Sequence, residues 1–349
     1  MLPDLSVIEG KYLHDILEQP RALERTLETL KPQPELEEIT ARVQKGKFQR
    51  ILLTGMGSSF HALYPLNLDL VGHGLTAFMV ETSELIHYKS RFFDPKTVII
   101  AVSQSGRSAE VVRLLEINRR HATVIAITNT EDSPLAKRSD AVVLTQAGQE
   151  FSVSCKTYVT ALMALRWLGA LLCGKDLRRA RKEMMQAVPA VSAYLSQWQS
   201  HVQGLTEALK DIAHLFLVGR GASLAAVGTG ALIVKESDHF HAEGMSSAAF
   251  RHGPFEMLSQ ESFVLVFSGQ DKTRNLNRKL LADIREQDVR SELVGEGASF
   301  PAFVLPATPA SIHPILEILP VQMITLALAA QMGREPGRFE LASKVTTTE

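Results

Sequence analysis

The chain has 349 residues, of which 45% are hydrophobic and 21% are charged, and its formal net charge at pH 7 is -1. This composition is typical of a soluble globular protein, and the length suits two domains that each bury a core. Because the chain is nearly neutral and has no basic run, we expect no nucleic-acid partner.

The cysteines and the apolar segments bear on the location of the protein. Cys155 and Cys173 are too few for a disulfide framework or a metal motif, which favours the reducing cytoplasm. Residues 1–20 lack the apolar core of a signal peptide, so we expect none. The longest apolar stretch, 319–332, is too short to span a bilayer, so we predict a buried helix and no membrane segment.

The first half of the chain alternates between predicted strands and helices. Apolar residues at three- and four-residue steps predict helices over about 8–45, and helical patterns return over about 157–213. Short apolar runs that end in glycine or polar residues lie between them, at 48–59, 75–84, 96–106, 122–133 and 141–150. This alternation predicts a parallel sheet with helices on both faces.

The second half repeats this order. A strand and glycine turn at 214–224 precede a helix around 228–240, and strand patterns follow at 262–271, 291–297 and 303–307. GMGSS at 55–59 and GRGAS at 219–223 occupy matching places in the two halves. We therefore predict an α/β protein with two tandem three-layer α/β/α domains and parallel sheets.

The predicted organisation has five parts, which follow one another along the chain. They are a helical arm over 1–45, a first domain over 46–175, a helical linker over 176–205, a second domain over 206–335 and a tail over 336–349.

The loop SQSGRS at 103–108 follows a predicted strand and opens a predicted helix. Its hydroxyls either cap that helix or hold an anion at the helix N-terminus, and their surplus over the single residue that a cap needs favours the anion. The matching loop of the second half contains the carboxylate of Asp271, which would repel an anion. We therefore predict one anion site in the first half and none in the second.

The glycine turns are weak evidence for a nucleotide. Phe60 and Leu224 stand where a dinucleotide-binding turn has its third glycine, and a tight strand-to-helix turn explains the other glycines. No Walker-type lysine follows the 103–108 loop, which argues against nucleotide triphosphate hydrolysis. Cys155 has no evident activating neighbour and is better interpreted as a small buried residue than as a nucleophile.

A second group of chemically active residues lies in and before the stretch 241–254. His241 and Glu243 form an HxE pattern without an evident third ligand, so we predict no metal site and no cofactor. A carboxylate with an imidazole suits proton transfer better, and the candidates here are Glu236, His241, Glu243 and His252. Each of these residues, taken alone, is more often structural.

Together, these motifs resemble the SIS (sugar isomerase) family of phosphosugar-binding proteins. The strings that carry the resemblance are GMGSSFHA, SQSGRSAE, AGQEFSVSCKTY, GRGASL, VKES, HAEGMSSAAFRHGP and LASKVTTTE. Within the family the chain resembles the isomerase half of glutamine:fructose-6-phosphate amidotransferase (glucosamine-6-phosphate synthase) without its glutaminase domain, from about residue 18 to the C-terminus. The resemblance implies a flavodoxin-like fold for both domains.

The resemblance also implies roles for individual residues. The phosphate of a phosphosugar would be bound by Ser103, Gln104, Ser105 and Ser108, with Ser59 nearby, and the sugar would contact the backbone at Val153 and Cys155. Glu236 would move a proton between C1 and C2, His252 would open the sugar ring, and Lys344 would close over the substrate. Because this histidine often comes from the neighbouring subunit in the family, a homodimer with a shared active site is expected.

Three positions depart from the synthase pattern. Thr229 and Ile233 replace an acid and a lysine, and Ala249 replaces a glutamate. The leading hypothesis is therefore a glucosamine-6-phosphate deaminase/isomerase, with a fructosamine-6-phosphate deglycase as the alternative. A non-catalytic phosphosugar sensor is the alternative from a different class.

Overall fold

The computed structural model describes residues 5–119, 121–341 and 343–346, so part of the predicted tail lies outside the described residues. The strands are β1 (Arg50–Gly55), β2 (Ala77–Glu81), β3 (Thr97–Val102), β4 (Thr123–Thr128), β5 (Ala141–Leu144), β6 (His214–Gly219), β7 (Ala242–Ser246), β8 (Ser262–Phe267) and β9 (Arg290–Val294). They form one sheet in the order β2-β1-β3-β4-β5 and another in the order β7-β6-β8-β9, with parallel pairing throughout. The predicted fold class is confirmed.

Helices connect the strands. They are α1 (Lys11–Leu17), α2 (Gln19–Thr29), α3 (Pro34–Gln44), α4 (Gly57–His61), α5 (Tyr64–Gly72), α6 (Thr82–Tyr88), α7 (Ala109–Asn118), α8 (Pro134–Arg138), α9 (Lys156–Leu172), α10 (Leu177–Met185), α11 (Ala187–Leu195), α12 (Trp198–Ala208), α13 (Leu224–Asp238), α14 (Ser247–Arg251), α15 (Asp271–Arg285), α16 (His313–Glu317) and α17 (Leu319–Met332). Short 3₁₀ turns include Gly221–Ser223 and Pro301–Phe303.

The chain divides into two compact units, each built from several chain segments. The first-sheet unit comprises residues 21–149, 156–185 and 341–349, and the second-sheet unit comprises residues 1–20, 150–155 and 186–340. The units are thus interleaved along the chain, whereas the boundaries predicted from the sequence follow it linearly.

The central strands of the first sheet are buried on both faces. Every residue of β3 is buried, and β1 is buried from Ile51 onwards. Leu52 and Ile99 pack with Leu114 of α7 and Leu135 of α8 in one core cluster. Continuous apolar strands of this kind are expected where helices cover both faces of a parallel sheet.

The second sheet has its own core, in which Phe216 and Val264 pack with Phe250 of α14 and Leu280 of α15. The helical run Ala310–Met332 is, by length and composition alone, apolar enough to cross a membrane, but 89% of its most apolar window is buried inside the protein. Because α17 packs against α12 and α13, this run is a core helix, as predicted.

One predicted strand is wrong. Residues 303–307 do not pair with the second sheet, since Pro301–Phe303 is a 3₁₀ turn and 304–309 has no regular structure. Pro306 and Pro309 cannot donate to a strand ladder, which accounts for the difference.

Candidate functional site

The carboxyl ends of β1 and β3 meet in the first sheet at the point where the strand order reverses. Ser59 lies on α4, directly after β1, and Ser103 directly follows β3. A Cβ atom on Gly55 would lie 3.0 Å from the carbonyl oxygen of Val102, so the glycine permits this close approach. Ligands of open parallel sheets bind at such a reversal point.

The backbone of the 103–108 loop is fixed by hydrogen bonds. The hydroxyl of Ser103 accepts a bond from the N–H of Gly106 at 3.1 Å. The carbonyl of Gln104 accepts bonds from the N–H of Asn129 at 3.1 Å and the hydroxyl of Thr128 at 3.2 Å. The loop is therefore held in place from the neighbouring strand β4, which leaves its outer side chains for other partners.

Some side chains of this loop have no recorded partner among the described residues. Ser108 is the N-cap of α7, but its hydroxyl makes no capping bond, and no partner is recorded for the Gln104 amide among the described residues. Ser105 accepts a bond from the N–H of Arg107 at 3.2 Å, and its hydroxyl proton remains available for donation. Arg107 itself pairs with Asp132 at 2.9 Å on the exposed surface. The loop thus presents neutral donors at a helix N-terminus.

The C-terminal segment reaches the same loop. The N–H of Ala109, in the first position of α7, donates to the carbonyl of Thr346 at 3.1 Å. Lys344, two residues earlier, is half-buried. The structure therefore brings this predicted lysine into the first-sheet unit that also contains Ser59 and the loop.

The second-sheet unit groups other predicted residues around Tyr12 of α1. Tyr12 is 1% exposed, and its hydroxyl bonds to that of Thr325 at 3.3 Å. Burial raises the pKa of Tyr12 well above its usual value, and electrostatic interactions with Cys155, Asp238 and Glu236 raise it further, against the lowering effect of the bond to Thr325. Glu236, half-buried on the last turn of α13, and Cys155 therefore lie in one electrostatic environment.

The turn at 150–155 belongs to this second-sheet unit. Glu150 is buried and accepts bonds from the N–H of Cys155 at 3.0 Å and from its thiol at 3.4 Å. Cys155 is thus a buried thiol whose N–H is engaged within the turn, and Val153 is 1% exposed. The N–H of Phe151 donates to Asp15 at 2.6 Å, which ties the turn to α1. A group that could geometrically hold a metal includes Asp15, but this bond already gives that carboxylate a structural role.

Tyr12, Glu150 and Asp238 are buried polar residues that the sequence analysis missed. Asp238 is 1% exposed, accepts a bond from Ser237 at 2.6 Å, and has its pKa raised well above the usual value by burial. The available signals were an acid two residues after Glu236 and an acid five residues before Cys155.

His252 is exposed at the C-terminal end of the short helix α14. Its N–H donates to the carbonyl of Ala249 at 2.9 Å, and buried Phe250 anchors the helix in the core. Gly253 follows with φ +137°, a conformation that favours glycine. Because α13 and α14 both pack against β7, the structure places Glu236 and His252 on neighbouring elements of one unit.

Uncharged residues occupy the three positions where the synthase pattern has charged ones. Ile233 and Thr229 are each 0% exposed inside α13, and the Thr229 hydroxyl has no recorded partner among the described residues. Ala249 is exposed beside His252.

The two parallel sheets define a doubly wound α/β protein. The 103–108 loop at a switch point, and Glu236 and His252 on neighbouring elements, are typical of a small-ligand site. The SIS domain model matches residues 47–171 and 208–293, and the chain belongs to this family. The resemblance inferred from the motifs is confirmed.

Similar proteins agree with this assignment. The chain is 28% identical to glutamine–fructose-6-phosphate aminotransferase [isomerizing] from Pyrobaculum aerophilum, over 98% of this chain and 58% of that protein. It thus spans less than two thirds of this relative. The C-terminal domain of glucosamine-fructose-6-phosphate aminotransferase from Francisella tularensis has a TM-score of 0.83 and 21% identity, over 95% of this chain and 98% of that one. Glucosamine-6-phosphate deaminase from Thermotoga maritima has a TM-score of 0.76 and 18% identity, over 97% and 100%. These two likenesses show the fold.

Proposed function

We propose that the protein is an enzyme that opens the ring of glucosamine 6-phosphate, moves a proton between C1 and C2, and releases ammonia. The observation that carries this proposal is the 103–108 loop, whose backbone is fixed while the side chains of Gln104 and Ser108 have no partner among the described residues. The deaminase activity named for the similar Thermotoga maritima structure supports the choice of reaction.

Phosphate binding would use neutral donors. The hydroxyls of Ser103, Ser105 and Ser108 and the Gln104 amide lie at the N-terminus of α7, where the helix dipole favours an anion. A phosphate held here supplies binding energy away from the reacting carbons and orients them. Lys344 would add the positive charge that the paired side chain of Arg107 does not contribute.

The chemical steps need one base and one group that titrates near neutral pH. His252 would move a proton between O5 and O1 to open the ring. Glu236 would then take the proton from C2, giving an enolamine, and return it to C1, giving an imine at C2. Water adds to that imine, and its breakdown releases ammonia and leaves fructose 6-phosphate.

The test is incubation of the protein with glucosamine 6-phosphate, followed by assays for ammonia and fructose 6-phosphate. Equal amounts of both products are expected, and Glu236→Gln should abolish them. Glu207→Gln is the matched control, because Glu207 is an exposed glutamate on α12 of the same unit. Absence of both products, or unchanged turnover in Glu236→Gln, would contradict the proposal.

A deglycase that splits a fructosamine 6-phosphate is the second candidate. The specific observation is Ile233, which places a fully buried apolar side chain where the synthase pattern has a lysine. Release of a free amino acid from fructosyl-lysine or fructosyl-asparagine 6-phosphate, without ammonia from glucosamine 6-phosphate, would decide for this reaction.

A non-catalytic phosphosugar sensor is the candidate from a different class. The uncharged positions 229 and 233 favour it, whereas the presence of Glu236, His252 and Lys344 together favours catalysis. Tight binding of glucosamine 6-phosphate and fructosamine 6-phosphates without any turnover would identify a sensor.

We also propose a cytoplasmic homodimer with a shared active site. The exposure of His252 on a short helix is what a residue donated to a partner subunit needs, and both cysteines are thiols outside any disulfide, as in a reducing compartment. Sedimentation should give a dimer, and a fully active monomer would contradict this part of the proposal.

A further inference from the structure

The second sheet has a switch point of its own, between β6 and β8. Arg220 directly follows β6, and Ser268 directly follows β8, as the phosphate-loop residues follow β1 and β3 in the first sheet. The carboxyl ends of these two strands therefore form a second place where an open parallel sheet can bind a ligand.

Arg220 is a cation for which the described residues provide no counter-charge. Its side chain is partly buried and its Nε atom is fully buried, yet no hydrogen bond or ion pair is recorded for the guanidinium among the described residues. Leaving a buried donor unpaired is costly, so this position is stabilised by any anion that supplies the missing acceptor.

An acceptor without a donor lies next to the same turn. Helix α16 packs against Gly221–Ser223, and the Ser223 hydroxyl donates to Oε1 of Glu317 at 2.7 Å. Glu317 is 6% exposed, and its Oε2 atom is buried with no recorded partner in the described part of the chain. A ligand hydroxyl or ammonium group would satisfy this oxygen.

The carboxylate of Asp271, from which the sequence predicted no anion site in the second half, is paired with a cation in the structure. Asp271 pairs with Arg274 at 2.6 Å, and Arg274 also contacts Glu296 at 2.9 Å. The prediction of no anion site in the second half requires an unpaired charge at Asp271 and does not include Arg220.

We propose that the carboxyl edge of the second sheet binds a sugar phosphate, with Arg220 holding the phosphate and Glu317 and Ser223 bonding to hydroxyl or ammonium groups. This second-edge site is separate from the residues assigned to phosphate binding and catalysis, and it does not depend on the proposed reaction. A sugar phosphate bound at this second-edge site would not be converted, so a substrate or product of the enzyme could regulate the protein there.

The test is calorimetric titration of the Glu236→Gln variant, in which turnover is blocked, with glucosamine 6-phosphate. Two binding events per chain are expected. Adding Arg220→Gln should weaken one event at least tenfold and leave the other unchanged, because a charge-assisted hydrogen bond is lost. Arg220→Lys should weaken it less, which separates loss of charge from misfolding.

Arg278→Gln is the matched control, since Arg278 lies in the same unit and its charge is paired with Glu296 at 3.6 Å. Binding unaffected by Arg220→Gln, or affected equally by Arg278→Gln, would overturn the second-edge site. Ser108→Ala tests the other event, so a failure of the first-edge phosphate assignment is seen separately.

Discussion

The carboxyl edges of the two sheets follow one backbone plan and carry different chemistry. Gly55 and Gly219 both end a central strand at a point where a Cβ would crowd the neighbouring strand or turn, and Gly106 and Gly269 both adopt positive φ in the following loop. The first edge then presents neutral hydroxyls and an amide. The second presents a buried acid and the guanidinium of Arg220, which has no partner within the described part of the chain.

This difference teaches that the fold determines where a site lies, and the side chains determine what it does. The loop of the first edge supplies neutral donors, and the positive charge proposed for the bound phosphate comes from Lys344, which lies outside that loop. The second-sheet unit instead carries the ionisable groups, with Glu236 on α13 and His252 after α14. The predictions below test this division of roles.

The largest effect is expected for Glu236→Gln. Loss of the single carboxylate that moves the proton should lower kcat about 10²–10⁴-fold, as for other general bases. KM for glucosamine 6-phosphate should change little, because the residues proposed to bind the phosphate do not include Glu236. Steady-state kinetics check this, and a variant that mainly raises KM would assign Glu236 to binding instead.

Glu317 should make the stability of the second-sheet unit depend on pH. Burial raises the pKa of Glu317 to about 7 in the folded protein, from 4.5 when unfolded. Between these values the folded state holds a proton that the unfolded state has released, so stability falls as pH rises through this window. The unfolding free energy of the wild type should therefore fall between pH 4.5 and 8. In Glu317→Gln, which has no titrating carboxylate at this position, that fall should be smaller by roughly 3 kcal/mol.

Urea unfolding at a series of pH values measures this effect. Glu207→Gln, at an exposed position on α12, is the control and should leave the pH dependence unchanged. If Glu317→Gln follows the wild-type pH profile, the buried acid is not titrating and the contrast between the two edges weakens.

The features that the sequence predicted are those carried by local patterns. Apolar runs ending in glycine predicted the strands of the first sheet, and the matched turns at Gly55 and Gly219 predicted the duplication. The wrong strand at 303–307 shows the limit, because apolar composition there outweighed the two prolines in the prediction.

The parts of the site that the sequence could not predict depend on contacts distant in the chain. Tyr12 meets Thr325, and Ser223 meets Glu317, across separations that no local pattern records. The sequence likewise does not show which charges are paired. Asp271 alone predicts repulsion of an anion, and its ion pair with Arg274 appears only in the structure. The roles of all the predicted site residues stay predictions, namely Ser59, Ser103, Gln104, Ser105, Ser108, Val153, Cys155, Glu236, His252 and Lys344.

Ser108→Ala should raise KM for glucosamine 6-phosphate about tenfold to a hundredfold with little change in kcat, since it removes one hydrogen bond to a charged group far from C1 and C2. Gln270→Ala is the matched change, because Gln270 is the N-cap of α15 and also makes no capping bond with its side chain. If Ser108→Ala and Gln270→Ala change KM equally, the first-sheet loop is not the specific phosphate-binding loop.

The smallest effect separates the two loop glycines. Gly106 and Gly269 have φ +60° and +70°, so alanine is strained equally at both positions, by about 1–2 kcal/mol. At Gly106 the new Cβ would also overlap Oγ of Ser133, which accepts the capping bond of Ala136 at 3.2 Å. At Gly269 the nearest atom would be the Asn277 amide nitrogen at 3.2 Å. Moving Ser133 costs that cap, so Gly106→Ala should destabilise the protein by about 1 kcal/mol more than Gly269→Ala. Denaturant unfolding of both variants measures the difference, and if Gly269→Ala proves the more damaging, the first loop is not the more tightly fixed of the two.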